Sequence, residues 1–149
     1  MKTSKSTLII ISLFSTIVFA SCSKNDETLS RNTGLLISKS WKFEIYGLDE
    51  NNNGMIEESE NSMLACEADD SFTFNANGTG VFASGTMPCS VGEPATTNFS
   101  WNFANNDTEL AIFAAPEKIN RLDETILEVY YMDQNSLGQP VKYIRRFQH

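Results

Sequence analysis

Histidine is nearly absent from this chain: the single one is His149, the last residue. A Ser-His-Asp or Cys-His nucleophilic arrangement, a histidine general base and a zinc site built on histidine all lack their central residue. Basic side chains are scarce too. Eleven Lys and Arg stand against 19 Asp and Glu, for a net charge of −8 over 149 residues. With no basic stripe and no interleaved aromatics, that balance opposes nucleic acid and anionic lipid headgroups. No glycine-rich loop precedes a helical stretch, which removes the usual phosphate cradle. Helical periodicity itself is rare, and long apolar runs are missing except for one near the start.

That run spans residues 8–20 and follows Lys2 and Lys5. Thirteen residues are too few to cross a bilayer, which takes about 20, and suit the apolar region of a signal peptide. The run ends Phe19-Ala20-Ser21-Cys22. Small residues before a cysteine resemble the bacterial lipobox, which implies cleavage after residue 21 and lipidation of Cys22. Ser23-Lys24-Asn25-Asp26-Glu27 then resembles the export signal of surface lipoproteins in the Bacteroidetes. The expected organisation is a signal peptide at 1–21, a lipidated cysteine and flexible tether at 22–33, and one domain at 34–149. Loss of Lys2 and Lys5 would take the net charge from −8 to −10.

With Cys22 committed to lipid, Cys66 and Cys89 remain, an even number in an oxidising compartment. They flank a hairpin signal. Phe72 and Phe74 alternate with polar residues, Asn77-Gly78 suits a type I′ turn, and a second strand follows. A disulfide between the two cysteines would staple that hairpin.

Alternation places further strands along the chain. Residues 29–39 read as a short helix, with Leu35, Leu36 and Ile37 as its apolar patch. Strand periods follow at 40–48, 70–75, 79–85, 99–103, 108–114, 117–122, 125–132 and 141–147, with Pro116 expected to break the fifth. Eight short strands with turns between them give an up-and-down antiparallel barrel or a sandwich. Sequential hairpins favour the barrel, whose closure leaves no exposed edge. The fold class is therefore all-β, with about 115 residues in one core. Ten phenylalanines and two tryptophans argue for a mostly filled interior.

One loop carries metal-type chemistry. Asp49, Asn51, Asn53, Gly54, Ile56 and Glu60 satisfy the twelve-residue calcium-loop pattern. Oxygens at alternate positions converge on one ion, the carbonyl of Met55 adds a ligand, Glu57 contributes, and Glu60 grips with both oxygens. A strand rather than a helix enters the loop, and only one copy is present, so an Asx-rich turn accounts for the same residues. The adjacent acids Glu57-Glu58 and Asp69-Asp70 suggest solvated surface before a carboxylate pair of a small hydrolase.

A larger resemblance emerges from several segments. Trp41 opens the first strand. Ala65-Cys66-Glu67-Ala68-Asp69-Asp70, Phe72-Thr73-Phe74-Asn75-Ala76-Asn77-Gly78, Cys89 and Phe99-Ser100-Trp101 follow. Over residues 33–149 these are similar to the lipocalin-like domain of Bacteroidetes lipoproteins. The resemblance implies an eight-stranded barrel on a lipid anchor at the outer membrane. It also implies that Arg145 or Arg146 of the last strand packs across Trp41. The expected function is that of a non-enzymatic envelope protein, attached to the membrane through its N-terminal lipid. It would act as a monomer on a small hydrophobic ligand or an envelope component. The alternative is a calcium-stabilised domain that presents a surface to a glycan or protein partner.

Overall fold

The computed structural model describes residues 29–149, so the expected signal peptide, Cys22 and the start of the expected tether lie outside the described residues. The first element among the described residues is α1 (Arg31–Ile37), whose first turn is capped by Ser30 Oγ accepting from the Thr33 N–H at 3.1 Å. The last residues of the span read as tether, 31–33, are therefore its first turn. The helix buries Leu36 completely.

Eight strands follow: β1 (Trp41–Asp49), β2 (Ser71–Phe74), β3 (Thr79–Ala83), β4 (Thr96–Ala104), β5 (Glu109–Ile112), β6 (Ala115–Leu122), β7 (Ile126–Gln134) and β8 (Pro140–Gln148). Each pairs antiparallel with the next, and β8 returns to β1, so the sheet closes as a barrel. The alternating stretches form these strands because every second residue turns inward: Phe99, Trp101 and Phe103 on β4, Leu127 and Val129 on β7, Phe147 on β8.

Two turns differ from the expectation. Asn75–Gly78 is not a two-residue I′ turn. Only Gly78 has positive φ (78°), and Gly78 N–H donates to the Asn75 carbonyl at 3.1 Å. The I′ geometry appears instead between β5 and β6, where Phe113 (φ 53°) and Ala114 (φ 63°) both enter the left-handed region without a glycine. That tight reversal puts Pro116 inside β6, opposite Ala111, rather than at a break.

The barrel has two unlike ends. At one end lie α1, the short turns 75–78, 105–108 and 123–125, and both ends of the described chain. This end is filled. Trp41, Phe72, Phe74, Phe99, Trp101, Leu110, Leu127 and Phe147 pack in one cluster with Leu36. The Trp41 indole N–H donates to the Leu36 carbonyl at 2.9 Å, fastening the helix across the end. The Trp101 indole N–H is shared between the carbonyls of Asn75 and Thr79. Among the described residues no arginine covers Trp41. The His149 ring does, 3.7 Å away between centroids, while Arg145 and Arg146 pair with Glu117 and Glu128. Inward parity decides this for Arg145. It shares the interior face with Tyr143 and Phe147, and its charge meets the one buried carboxylate facing it.

At the other end lie the long connections 50–70 and 84–95, the Phe113-Ala114 turn and the loop 135–139. Here β1 has only Trp41 and Lys42 paired with β2, and the two strands diverge. The segment around Asn61 takes the vacated place beside β1. Gly47 bridges Asn61, and Ser62 N–H donates to the Tyr46 carbonyl at 2.8 Å. A Cβ on Gly47 would lie 2.0 Å from the Glu60 carbonyl oxygen, so only glycine allows that approach.

Candidate functional site

The interior is not filled throughout. Toward the mouth a cleft of about 720 Å³ opens, walled by Phe43, Tyr46, Ile112, Phe113, Tyr131 and Tyr143, with Glu67, Glu117 and Arg145 among them. A second lobe of about 380 Å³ shares Phe43, Glu67 and Phe113 with it and reaches Asp70, Phe82 and Glu93. Trp41, Trp101, Phe74, Phe99 and Phe147 gather at the closed end. At the mouth, tyrosines and charged side chains line the wall and leave space.

The rings are ordered among themselves. Tyr131 and Tyr143 stack 5.0 Å apart at 20°, Tyr46 lies 6.0 Å from Tyr143, and Phe43 meets Tyr46 edge-on at 5.2 Å. Tyr46 OH donates to Glu67 Oε2 at 2.6 Å. Burial, reinforced by that bond, pushes the Tyr46 phenol well above its ordinary value. Burial also raises Tyr131 and Tyr143. Across the floor Arg145 donates from Nε to Glu117 Oε2 at 3.1 Å and from a second nitrogen to Glu117 Oε1. Burial raises the Glu117 carboxyl, and the arginine opposes that rise without cancelling it.

The lip of the cleft is held rigidly. Cys66 and Cys89 form a disulfide, with Cα atoms 5.3 Å apart, joining the β1–β2 connection to the β3–β4 connection. Acids beside it grip backbone amides. Asp69 Oδ2 accepts from Thr86 N–H and Oγ1, both at 2.8 Å, and Asp70 Oδ1 from Gly85 N–H at 2.7 Å. Glu93 accepts from the amides of Cys89 (2.6 Å) and Ser90 (3.2 Å) and from the Ser84 hydroxyl (3.0 Å). These bonds to its charged form hold the Glu93 carboxyl low, as the Thr86 bonds do for Asp69, whereas burial raises Asp70.

The 49–60 loop draws its calcium-type residues into one closed turn. Its oxygens, however, meet N–H donors. Asp49 accepts from the amides of Asn53 and Gly54, both at 2.9 Å. Asn51 and Asn53 turn their Nδ2 groups toward Glu57 Oε1. Glu60 accepts from the amides of Glu50 and Glu57. The Met55 side chain is exposed. Arranged so, these residues make a hydrogen-bonded turn in which the Asn51 and Asn53 Nδ2 groups face Glu57. Among the described residues no three His, Cys, Asp or Glu side chains stand close enough to hold a metal ion.

Sequence reasoning missed the cleft and its charged floor. The signal was there: Glu117 and Arg145 share the inward parity of Ile119 and Phe147. No family model matches this chain, and no curated protein matches it in sequence.

Proposed function

We propose that this chain is a non-enzymatic, lipid-anchored envelope protein of the lipocalin-like type its sequence resembles, and that it holds a small molecule at the barrel mouth. The observation that carries this reading is the 720 Å³ cleft. Ligand sites run from about 300 to 1,000 Å³, with mostly apolar walls and a few converging polar groups. An anchor at Cys22 is compatible with the topology. The chain enters the barrel at the closed end through α1, which leaves the mouth clear of a tether to the outer membrane.

The test is titration with the neutral fluorophore N-phenyl-1-naphthylamine. One saturable site is expected, abolished by Ala115→Trp, which fills the cleft from β6 without replacing a buried side chain. Uptake that never saturates, or that Ala115→Trp leaves unchanged, would end the reading. For the anchor, labelled palmitate is expected on the wild type and not on Cys22→Ala.

A second reading, a calcium-stabilised accessory domain that meets a glycan or protein partner, draws on the loops around the mouth. Leu64, Met87, Val91, Phe113 and Leu137 are all exposed there. It requires the Asn51 and Asn53 amides to turn over and Glu57 and Glu60 to release their donors. The calcium titration described in the Discussion separates it from the first.

A further inference from the structure

We propose that the mouth cleft takes an organic cation: an amine or quaternary ammonium carried on an apolar body. The proposal rests on the reading of the cleft as a ligand site and adds the charge of its ligand.

The charges on the walls are unequal in a specific way. Among the described residues Arg145 is the one basic side chain lining either lobe, and Glu117 engages it through two of its nitrogens. Glu67, Asp70 and Glu93 remain. Among the described residues none of the three forms an ion pair. Glu93 is occupied with amides, but the other two keep free oxygens. Glu67 binds through Oε2 alone, to Tyr46 and to the Leu64 N–H. Asp70 is 4% exposed and binds through Oδ1 alone. So Glu67 Oε1 and Asp70 Oδ2 have no hydrogen-bond partner among the described residues. Asp70 is a nearly buried carboxylate at the wall of an open lobe with half its capacity unused.

The apolar part of the wall favours the same ligand. Tyr46, Tyr131, Tyr143, Phe43 and Phe113 present π systems, whose negative faces attract a cation. An anion would instead meet three carboxylates and a guanidinium already neutralised. A wholly apolar ligand would strip water from Glu67 and Asp70 and return nothing to them. A metal ion fits poorly, because no three acids converge closely enough to hold one. Negative charge spread along an aromatic wall suits the large, weakly hydrated head of an organic ammonium.

Three probes with one body isolate the charge: 4-phenylbutylamine, 4-phenylbutanol and 4-phenylbutanoate, titrated calorimetrically into the full mature chain at low salt. The amine is expected to bind about tenfold or more tighter than either of the others, and to weaken as salt rises. Glu67→Gln is expected to weaken the amine far more than the alcohol and so remove most of that preference. Asp70→Asn serves as the second variant, with melting curves confirming that each folds. Equal affinities for the three, or tightest binding of the carboxylate, would overturn the charge assignment and leave the ligand site standing. If none of the three binds, the ligand site itself is wrong, and the charge assignment falls with it.

Discussion

Arg145 on β8 reaches past β7 to clasp Glu117 on β6 inside the barrel, and both side chains are largely removed from solvent. An ion pair in that position is costly to break from one side, because the survivor is left charged and buried. Arg145→Met alone is expected to lose about 3–5 kcal/mol of stability. The double variant Glu117→Leu with Arg145→Met is expected to recover most of that, since apolar groups of similar volume carry no desolvation cost. Urea denaturation of the two singles and the double checks this; additive losses would refute it.

The disulfide closes a loop of 23 residues' separation at the mouth. Chain entropy values that closure at about 3 kcal/mol. Cys66→Ser with Cys89→Ser is expected to unfold at correspondingly lower urea. Under non-reducing conditions the native chain should show no alkylatable thiol at positions 66 and 89 by peptide mass analysis.

Phe113 and Ala114 occupy left-handed backbone that side chains of their kind resist. Ala114 is exposed, so its methyl contributes little packing. Ala114→Gly is therefore expected to stabilise the protein by about 1 kcal/mol. Phe113→Gly gains the same backbone relief but loses the ring contact with Phe99, 5.1 Å away, and should come out close to neutral.

Acid should loosen the lip. Asp69 and Glu93 are held below their ordinary values by the bonds they accept. A depressed carboxylate contributes stability that is present above its unfolded pKa and is lost as pH falls through the folded one. Asp69→Asn is thus expected to melt below wild type at about pH 6 and together with it at about pH 2. A constant difference across that range would show that the Thr86 bonds do not depend on the charge.

Because the oxygens of the 49–60 loop are already bonded to amides, calcium is expected to change little. Addition of about 5 mM calcium should leave the melting temperature unchanged. Glu60→Gln should cost about 1 kcal/mol with or without the ion, as the loss of a capping carboxylate does. A calcium-dependent rise in melting temperature, absent in Glu60→Gln, would instead establish the accessory-domain reading.

Most of the strands are legible in the sequence because a half-buried strand writes its burial as alternation, and Phe99-Ser100-Trp101-Asn102-Phe103 does so plainly. The β5–β6 turn is not legible. Its positive φ values fall on Phe and Ala, where tertiary closure overrides local preference. Pro116 misleads for the same reason, since a proline opposite Ala111 is tolerated where the strand has just begun. The seating of the disulfide at one mouth of the barrel is legible, because both cysteines stand in connections outside their hairpin; that this mouth is the one with the cleft depends on barrel closure, a long-range fact. Glu117 and Arg145 are legible as inward-facing by parity. The empty volume beside them is not, because it depends on where the aromatics of other strands end.

The segregation of the two ends also has a spectroscopic face. Both tryptophans, Trp41 and Trp101, belong to the packed cluster at the closed end, while Tyr46, Tyr131 and Tyr143 line the cleft. The barrel therefore carries a different intrinsic chromophore at each end. Events at the mouth will be recorded in the tyrosine bands of near-ultraviolet circular dichroism. Undocking of α1 or loss of His149 will be recorded by tryptophan emission. One unlabelled sample can thus distinguish opening of the mouth from loosening of the base.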